Sequence, residues 1–546
     1  MEAIFTNMLA PPLAATHPTR AIARSTKGMV ASPHALATAA GVAVLRGGGN
    51  AVDAAIAANG VLSVVYPQAN GLGGDAFFML YDPERADVVC YNGSGRAARG
   101  LEAATLRERG INEMPARGAF TVTVPGAVRA WEEVAEAHGT RTLDRLLEPA
   151  EAYARDGYVV TEVVAYYFEL NASILAQCAD AAALFLSGGV PVAGSVLRNP
   201  GLAKTLAHVR NGGADAFYEG PAGEAIVARL RASGSPMDIE DLRSHRTQRT
   251  APWRLRWRDG EVLAHPPNSH GSCAQMVLGA LAADRADDPA LWAHLAIEAF
   301  KHAFHVRDTR FGDPDFVSLR EDEIIGMKAL ESLRAQIDPE RVTAHFRAPS
   351  LGDTIAIVAA DDDGRAVSLI QSLYSNFGSG LVAGESGIVL QNRGAYFNLI
   401  QGHPNELTGG HRPVHTLSPA MYLRNGKPAL VYGTMGGDGQ PQIHTQLLHA
   451  IVDCGADVQT AIDAPRWIAG RPHVPGHEDV MTDTVVVESG ISDVVFDGLV
   501  RRGHRVERLG PFDHTMGHAH AIAIDAQRGT FAGGSDPRAD SFALGV

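Results

Sequence analysis

The sequence predicts a layered α/β sandwich, in which helices cover packed β-sheets. Two observations favour this fold class. Strand patterns occur early and late in the chain, and helical patterns lie between them. In addition, the 546 residues are 46% hydrophobic and 20% charged, a composition typical of a globular protein with a large core.

Helical patterns dominate the chain before residue 350. Ser32 is the predicted N-cap of a helix that has Pro33 at its first position and ends at Arg46. Asn50 caps a second helix that runs to about Val64. Further helices are predicted at Leu143–Arg155, Ala222–Ala232 and Ala290–Arg307, and short strands at Phe77–Tyr81 and Val88–Tyr91.

Strands prevail in the last third of the chain. Ile355–Ala360 and Ala366–Ile370 flank an acidic turn and indicate a buried hairpin. A second hairpin is predicted around Asn425-Gly426, a third pairs His520–Ile524 with Thr530–Ala532, and helices are predicted at Gln442–Val452 and Val458–Ala461. The polar stretch 336–351 reads as an exposed linker, where a chain cut costs least.

The bulk properties exclude several function classes. A formal charge of −14 argues against nucleic-acid and anionic-membrane partners. No apolar run approaches the ~18 residues that a membrane span needs. The four cysteines are far apart, as expected of reduced thiols, and the N-terminus does not resemble a secretory signal. We therefore expect a cytoplasmic protein.

Neither a cofactor nor a metal is predicted. Gly71–Ala76 matches the dinucleotide fingerprint, but a strand pattern follows it where that fingerprint requires a helix. His518 and His520 lie on one side of a predicted strand, with His504 and His514 nearby in sequence. Without a carboxylate or cysteine at a matching spacing, packing or surface roles explain these histidines better than metal binding.

Three local features suggest acyl-transfer chemistry. Thr354 heads a predicted strand, and a cut before it would give one residue both a hydroxyl nucleophile and a free α-amine. Gly436 and Gly437 follow a strand, where two backbone N–H groups can converge as an oxyanion hole. Arg96 and Arg412 lie in loops and offer a planar fork for a carboxylate. Taken singly, each is also compatible with a structural role.

Together these features resemble the γ-glutamyltransferase family of N-terminal-nucleophile hydrolases. The resemblance extends over nearly the whole chain, from residue 29 to residue 538. Its ordered motifs are GGGNAVDAA at 47–55, NGLGGD at 70–75, TVPG at 123–126, ARDG at 154–157, GDPD at 312–315, LSP at 417–419, DAPR at 463–466 and GSDPR at 534–538.

The resemblance implies a four-layer αββα sandwich and a precursor that cuts itself between Asp353 and Thr354. Residues 1–353 would form a large fragment and residues 354–546 a small one, intertwined in one domain. A dimer of such processed pairs is an open alternative.

The resemblance also implies residue roles. Thr354 is the implied nucleophile, and its freed α-amine, with an ordinary pKa of about 8, is the base. Ser372 matches a supporting hydroxyl, Gly436 and Gly437 match the oxyanion pair, and Arg96 matches the arginine that binds the substrate carboxylate.

The departures from the family pattern concern the substrate. Residues 392–396 contain no acid to pair with a γ-glutamyl ammonium group, which would be costly to leave unpaired. His415 and Thr416 replace paired serines, and Tyr374 replaces an amide side chain. An extra arginine, Arg393, favours a small anionic amide. These variants resemble the branch that contains oxamate amidohydrolase.

The first hypothesis is therefore a self-processing amide hydrolase that acts on a small carboxylate-bearing substrate such as oxamate. The alternatives are a genuine γ-glutamyltransferase or glutathione hydrolase, a cephalosporin-type acylase, and a catalytically silent binding protein. A metal-dependent amidase is the most remote alternative.

Overall fold

Two seven-stranded antiparallel sheets lie face to face at the centre of the protein. The computed structural model describes residues 19–284, 288–343, 353–470 and 483–546. The first sheet has the spatial order β1 (Ala23–Ser25), β18 (Thr530–Ser535), β17 (Ala519–Asp525), β13 (Lys427–Thr434), β12 (Ala420–Arg424), β9 (Gly260–Ala264) and β8 (Trp253–Trp257). The second sheet has the order β19 (Phe542–Gly545), β2 (Gly28–Ser32), β10 (Asp353–Asp361), β11 (Ala366–Tyr374), β3 (Asp75–Asp82), β4 (Asp87–Asn92) and β7 (Gln248–Thr250).

The remaining described strands form two small sheets. One consists of β5 (Tyr158–Val159) and β6 (Val196–Leu197), and the other of β14 (Trp467–Ala469), β15 (Thr484–Glu488) and β16 (Arg505–Leu509).

Helices cover the outer face of each large sheet. The second sheet shares one hydrophobic core with α1 (Ala35–Arg46), α2 (Ala51–Val65), α3 (Ala103–Glu108), α4 (Ala127–His138), α5 (Leu143–Asp156), α6 (Glu162–Leu175), α7 (Ala179–Phe185), α8 (Pro200–Tyr218), α9 (Pro221–Ala232) and α10 (Ile239–Arg243). The first sheet shares another core with α11 (Ser272–Ala280), α12 (Pro289–Arg310), α13 (Glu321–Ile325), α14 (Met327–Arg334), α15 (Gln440–Leu448), α16 (Val458–Asp463) and α17 (Asp493–Arg501). The predicted four-layer αββα sandwich is confirmed.

A third core fills the space between the two sheets. On β10, Ile355 and Ile357 pack in the helix-covered core, whereas Val358 and Ala360 pack between the sheets. Alternate residues of a strand point to opposite faces, so a strand buried on both faces is apolar throughout. This explains the continuous apolar run that follows Thr354.

One predicted helix start is wrong. Ser32 ends β2 instead of capping a helix, and α1 begins at Ala35, where the His34 side chain accepts the N–H of Leu36. The reason is long-range, because β2 is buried between β10 and β19, which come from the far end of the chain. In contrast, the predicted Asn50 cap is confirmed as a capping box.

The chain before residue 350 also contributes more strands than predicted. It supplies five of the described strands that join the large sheets beyond the two predicted ones, namely β1, β2, β7, β8 and β9. The predicted linker 336–351 falls partly outside the described residues; its described part, 336–343, is largely exposed. None of the described helices is long and apolar enough to cross a bilayer.

Candidate active site

Thr354 is buried near the start of β10. The pairing of β10 with β11 is irregular between Asp353 and Ile355. Such an irregularity re-aims a side chain at the end of a strand and is frequent next to active sites. The hydroxyl of Thr354 lies beside that of Ser372 on β11, with the two oxygens 3.1 Å apart.

Ser372 is held firmly on β11. Its Oγ accepts the backbone N–H of Tyr374 at 2.7 Å as well as the hydroxyl of Thr354. Ser368, on the same face of β11, donates to the carbonyl of Tyr432 in the first sheet at 2.9 Å. The two hydroxyls of the predicted catalytic pair therefore lie on the face of the second sheet that packs against the first.

The predicted oxyanion glycines form the turn after β13. Gly436 and Gly437 have φ angles of 127° and 53°, a region that favours glycine, and the Gly436 carbonyl accepts the N–H of Gly439 at 2.7 Å. Just before this turn, a Cβ added to Gly433 would lie 3.3 Å from the Cβ of Ala356. The glycine turn thus leaves the first sheet at the same end of the sandwich as the start of β10.

Arg393 is completely buried between two tyrosines. Its guanidinium carbon lies 3.8 Å from the ring centre of Tyr374 and 5.6 Å from that of Tyr396. Nη2 donates to the Thr416 hydroxyl at 2.7 Å. Nε and Nη1 are also buried, and neither has a hydrogen-bond partner among the described residues. Burial lowers the pKa of Arg393, and the unused donors make this residue a candidate anion site.

Tyr374 joins this arginine to Ser372 of the predicted catalytic pair. It lies two residues after Ser372 and has a φ angle of 79°. This backbone conformation is rare for a residue with a side chain, and it costs about 1–3 kcal/mol. In return, the Tyr374 ring lies against Arg393 while its N–H binds Ser372. Tyr374 thus contacts two other predicted site residues, Ser372 through its backbone and Arg393 through its ring.

Arg96 is bound differently from Arg393. One of its terminal nitrogens donates to Asp313 and to the carbonyl of Gly410, both at 2.7 Å, and the other donates to Asp315. Its side chain is 30% exposed. Arg412 joins the same cluster through its backbone N–H to Asp313 and its side chain to Asp315. The two arginines selected in the loops therefore already have carboxylate partners.

His415 and Thr416 connect Arg393 to a buried acid. Thr416 accepts the Arg393 hydrogen bond, and the preceding His415 places its Nε2 3.2 Å from Oδ2 of Asp75. Both histidine and acid are buried. Four of the predicted substrate-binding residues (Tyr374, Arg393, His415 and Thr416) are therefore connected in sequence or by direct contact. The hydrogen bonds found between the described residues include no direct one from Arg96 to any of the four.

The histidines of β17 have no metal-binding environment in the described part of the chain. His518 and His520 are buried, and burial lowers the pKa of both. No group of three or more potential ligands that could hold a metal is found in the described ranges. His518 Nδ1 lies 3.5 Å from the Tyr66 hydroxyl, and its carbonyl accepts the N–H of Met435 beside the glycine turn.

Two carboxylates of the site were missed by the sequence analysis. Asp75 was treated only as the last residue of a motif, although an acid at the head of the apolar strand β3 was a usable signal. Asp438 follows the glycine pair and accepts hydrogen bonds from Arg307 at 2.7 Å and from the Tyr396 hydroxyl at 3.0 Å. These contacts fix the turn that carries Gly437.

Comparison with known families and structures agrees with this geometry. A family model described as Gamma-glutamyltranspeptidase matches residues 37–546. The chain is 38% identical to the glutathione hydrolase-like YwrD proenzyme of Bacillus subtilis, over 95% of this chain and 99% of that protein. It is 36% identical to the oxamate amidohydrolase proenzyme of Klebsiella pneumoniae, again over 95% and 99% of the two chains.

The fold has solved relatives as well. The crystal structure of a cephalosporin acylase from Bacillus halodurans superimposes with a TM-score of 0.89 at 32% sequence identity. The match covers 99% of each chain.

Proposed function

The chain belongs to the gamma-glutamyltranspeptidase family, and we propose that it is the self-cleaving precursor of an amide hydrolase whose substrate carries a carboxylate next to the amide. Oxamate is the smallest such substrate. The observation that carries this proposal is the buried guanidinium of Arg393, whose Nε and Nη1 have no hydrogen-bond partner among the described residues. The guanidinium lies over the ring of Tyr374, and the backbone N–H of Tyr374 binds Ser372, the partner of the nucleophile.

Processing is proposed at the Asp353–Thr354 bond. The Thr354 hydroxyl attacks the carbonyl of Asp353, the peptide C–N bond breaks, and the acyl group moves from nitrogen to oxygen as an ester. Water then hydrolyses this ester. The products are a large fragment that ends in the Asp353 carboxylate and a small fragment that begins with the free amine of Thr354.

The same hydroxyl then serves in the hydrolysis of the substrate. The α-amine of Thr354 takes the proton from Oγ as Oγ attacks the amide carbon, and the negative charge that develops on the amide oxygen is bound by the N–H groups of Gly436 and Gly437. The proton passes to the leaving nitrogen, which departs as ammonia or an amine. Water, activated by the same amine, releases the acid from Thr354. Ser372 keeps Oγ in position throughout.

Arg393 supplies the reason for an acidic substrate. A charged group that is buried without a partner is costly, and the binding of a carboxylate removes that cost. Nε and Nη1 carry three of the five guanidinium N–H groups, and hydrogen bonds from a guanidinium to a carboxylate are among the strongest in proteins. The rings of Tyr374 and Tyr396 lie against the guanidinium. The printed name of the Klebsiella relative supports the same class of substrate.

A γ-glutamyl substrate fits this site less well. It would bring an ammonium group, which needs a carboxylate in the pocket. The two nearby acids are already engaged, since Asp75 faces several N–H donors and Asp438 accepts from Arg307 and Tyr396. The ammonium group of the substrate would therefore meet the cation of Arg393, where it needs an anion.

The deciding experiment compares two substrates on the purified protein. The release of ammonia from oxamate is measured beside the release of the aniline from a γ-glutamyl anilide, and we expect oxamate to have the higher kcat/KM. Thr354→Ala is the control, which should run as one full-length band on a denaturing gel where the wild type shows two, and should hydrolyse neither compound. An intact wild-type chain that still hydrolyses amides, or a preference for the anilide, would refute the proposal.

A further inference from the structure

Asp75 is a buried acid placed directly beside the proposed nucleophile's support. It begins β3, and its backbone lies opposite Ser372 in the pairing of β3 with β11. Its side chain is completely buried. A carboxylate in such a position is retained only if its neighbours compensate for the lost water. What surrounds it therefore indicates what it does.

Every described neighbour that bonds to Asp75 donates a hydrogen. Oδ1 accepts the backbone N–H groups of Gly95 and Gly126, each at 3.1 Å, and the Gln391 side-chain amide at 3.0 Å. Oδ2 faces His415 Nε2 at 3.2 Å. These four contacts suit an ionised carboxylate, which only accepts, and leave no acceptor for the O–H of a protonated acid.

The tautomer of His415 is fixed from its other side. Its Nδ1 accepts the backbone N–H of Leu417 at 3.2 Å and so carries no proton. Burial lowers the pKa of His415 well below its ordinary value, so the ring is neutral and its one proton is on Nε2. That proton points at Asp75. The acid therefore sets the orientation of the histidine ring.

The position of His415 influences the position of the Arg393 guanidinium. Thr416 follows His415 directly, and its hydroxyl accepts the one hydrogen bond that Arg393 makes to the described residues. The chain of contacts runs from Asp75 through His415 and Thr416 to the guanidinium. Asp75 also supplies negative charge that favours the charged form of Arg393.

We propose that Asp75 is the positioning residue for Arg393 and thereby determines the specificity of the enzyme for carboxylate-bearing amides. This inference rests on the proposed function. Asp75 touches neither the substrate nor the reacting atoms. It holds the guanidinium at a fixed place relative to Ser372, because Asp75 and Ser372 lie opposite each other on the paired strands β3 and β11. The distance between the carboxylate and the scissile carbonyl of the substrate is thus set by β3 and β11.

The arrangement has a consequence for pH. Burial raises the pKa of Asp75 to about 7, opposed by Gln391, Arg393 and the backbone N–H groups of Gly95 and Gly126. Above this pH the carboxylate accepts all four hydrogen bonds. Below it, the added proton has no acceptor and at least one of the contacts must break.

The free α-amine of Thr354, with an ordinary pKa of about 8, also titrates near neutral pH, but the side chains that bond or stack around Asp75 have pKa values shifted away from that range. His415, His265 and His245 have pKa values lowered by burial, that of His270 is likewise lowered, and burial raises that of Tyr218 above 10. Arg393 stays charged. A change in carboxylate binding near pH 7 is therefore assigned to Asp75 when it is absent from Asp75→Asn, which keeps the α-amine of Thr354.

The test uses oxalate as the probe, because it is the acid product of oxamate hydrolysis. Both of its carboxyl groups are ionised between about pH 6 and about pH 8.5. Its inhibition constant in the wild type should rise as the pH falls through about 7, following the protonation of Asp75. In Asp75→Asn we expect the KM for oxamate to rise about tenfold or more, with kcat changed less than about threefold and with no pH step in oxalate inhibition. Hydrolysis of glycolamide, a neutral amide of the same size, should change little.

Two further variants keep the test decisive. Asp53→Asn is the matched control, because Asp53 is also completely buried and accepts several N–H groups, but it lies on α2 and bonds to residues 50, 140 and 141. It should leave KM unchanged. Thr416→Val removes the hydrogen bond of Arg393 while Asp75 stays, and should raise KM without removing the pH step. If Asp75→Asn fails to process, the Thr416→Val variant and the pH series of the wild type still test the role of Asp75.

The outcomes separate this inference from the proposed function. If the wild type does not hydrolyse oxamate, the proposed function fails. If Arg393→Met loses oxamate hydrolysis but Asp75→Asn keeps the wild-type KM, only the role of Asp75 is refuted. A lower KM in Asp75→Asn would also refute it, because that result would mean that the acid merely competes with the substrate for the arginine.

Discussion

Arg393 and Arg538 are both fully buried, yet their side chains form different hydrogen bonds. Arg538 donates through Nε and Nη2 to Glu488, through Nη1 to Asp536, and to the carbonyls of Ile462 and Ala464. All three of its nitrogens are used. Arg393 uses one nitrogen, on Thr416, and has aromatic rings where Arg538 has carboxylates.

The two environments have opposite effects on the charge. Burial lowers the pKa of Arg393, because no carboxylate hydrogen-bonds to it among the described residues. Burial acts on Arg538 as well, but Asp536 and Glu488 outweigh it and raise the pKa of that arginine. A satisfied buried arginine contributes to the scaffold, whereas an unsatisfied one has capacity left for a ligand. The difference distinguishes structure from function better than burial does.

Arg538→Met should have the largest effect, and on stability. It leaves Glu488 buried without the arginine that binds both of its oxygens and removes one of the two arginines that pair with Asp536. Breaking a buried ion pair from one side costs about 3–5 kcal/mol. Thermal unfolding should show a clearly lowered midpoint, and the loss should be greater at neutral than at acid pH. Burial alone would raise the pKa of Asp536, but Arg466 and Arg538 lower it well below its ordinary value, so its stabilising contribution is present near neutral pH and declines as acid protonates it.

A matched double variant sharpens this result. Arg538→Met combined with Glu488→Gln should recover part of the lost stability, because the unpaired charge on residue 488 is removed together with its partner. An unchanged midpoint in Arg538→Met would contradict the scaffold role of this arginine.

Arg393→Met should have the opposite profile, with activity lost and stability kept. Removal of an unpaired buried cation should leave the free energy of unfolding unchanged or raise it by about 1–3 kcal/mol. The kcat/KM for oxamate should fall about a hundredfold, as expected when one charged, bidentate contact is lost. Melting temperature and oxamate kinetics on the same samples check both parts.

Arg393→Lys is the control for charge alone. Lysine keeps the cation but lacks the planar fork, so it should recover only part of the oxamate activity. A destabilised Arg393→Met that keeps oxamate hydrolysis would mean that Arg393 is a scaffold residue like Arg538.

Features of this fold that depend on nearby residues could be predicted from the sequence. Features that depend on residues far away in the chain could not. The Asn50 cap and the hairpin after Thr354 depend on neighbours within a few residues, and the structure has both. Ser32 was misassigned because its strand is defined by partners more than 300 residues away in the chain. Nothing close to Ser32 in the sequence carries that information.

The same limit applies to the arginines of the site. Arg96 in its glycine-rich loop was the better sequence candidate for a carboxylate binder, whereas its carboxylate partners, Asp313 and Asp315, come 217 and 219 residues later. Arg393 was noticed only as a departure from the family pattern. Only the folded structure shows that none of the described residues places an acceptor within hydrogen-bond distance of Nε or Nη1 of Arg393. The family resemblance predicts the nucleophile, and the contacts support the proposed class of substrate.

Arg96→Gln should have the smallest effect and completes the comparison. Arg96 is partly exposed, and Asp313 keeps the backbone N–H of Arg412 at 2.8 Å when Arg96 is removed. Partly exposed ion pairs contribute about 1 kcal/mol or less, so we expect a small loss of stability and less than a threefold change in the KM for oxamate, by the same order-of-magnitude argument. A rise in KM as large as that of Arg393→Met would show that Arg96 leaves Asp313 to bind the substrate, and that unused donors alone do not identify the binding arginine.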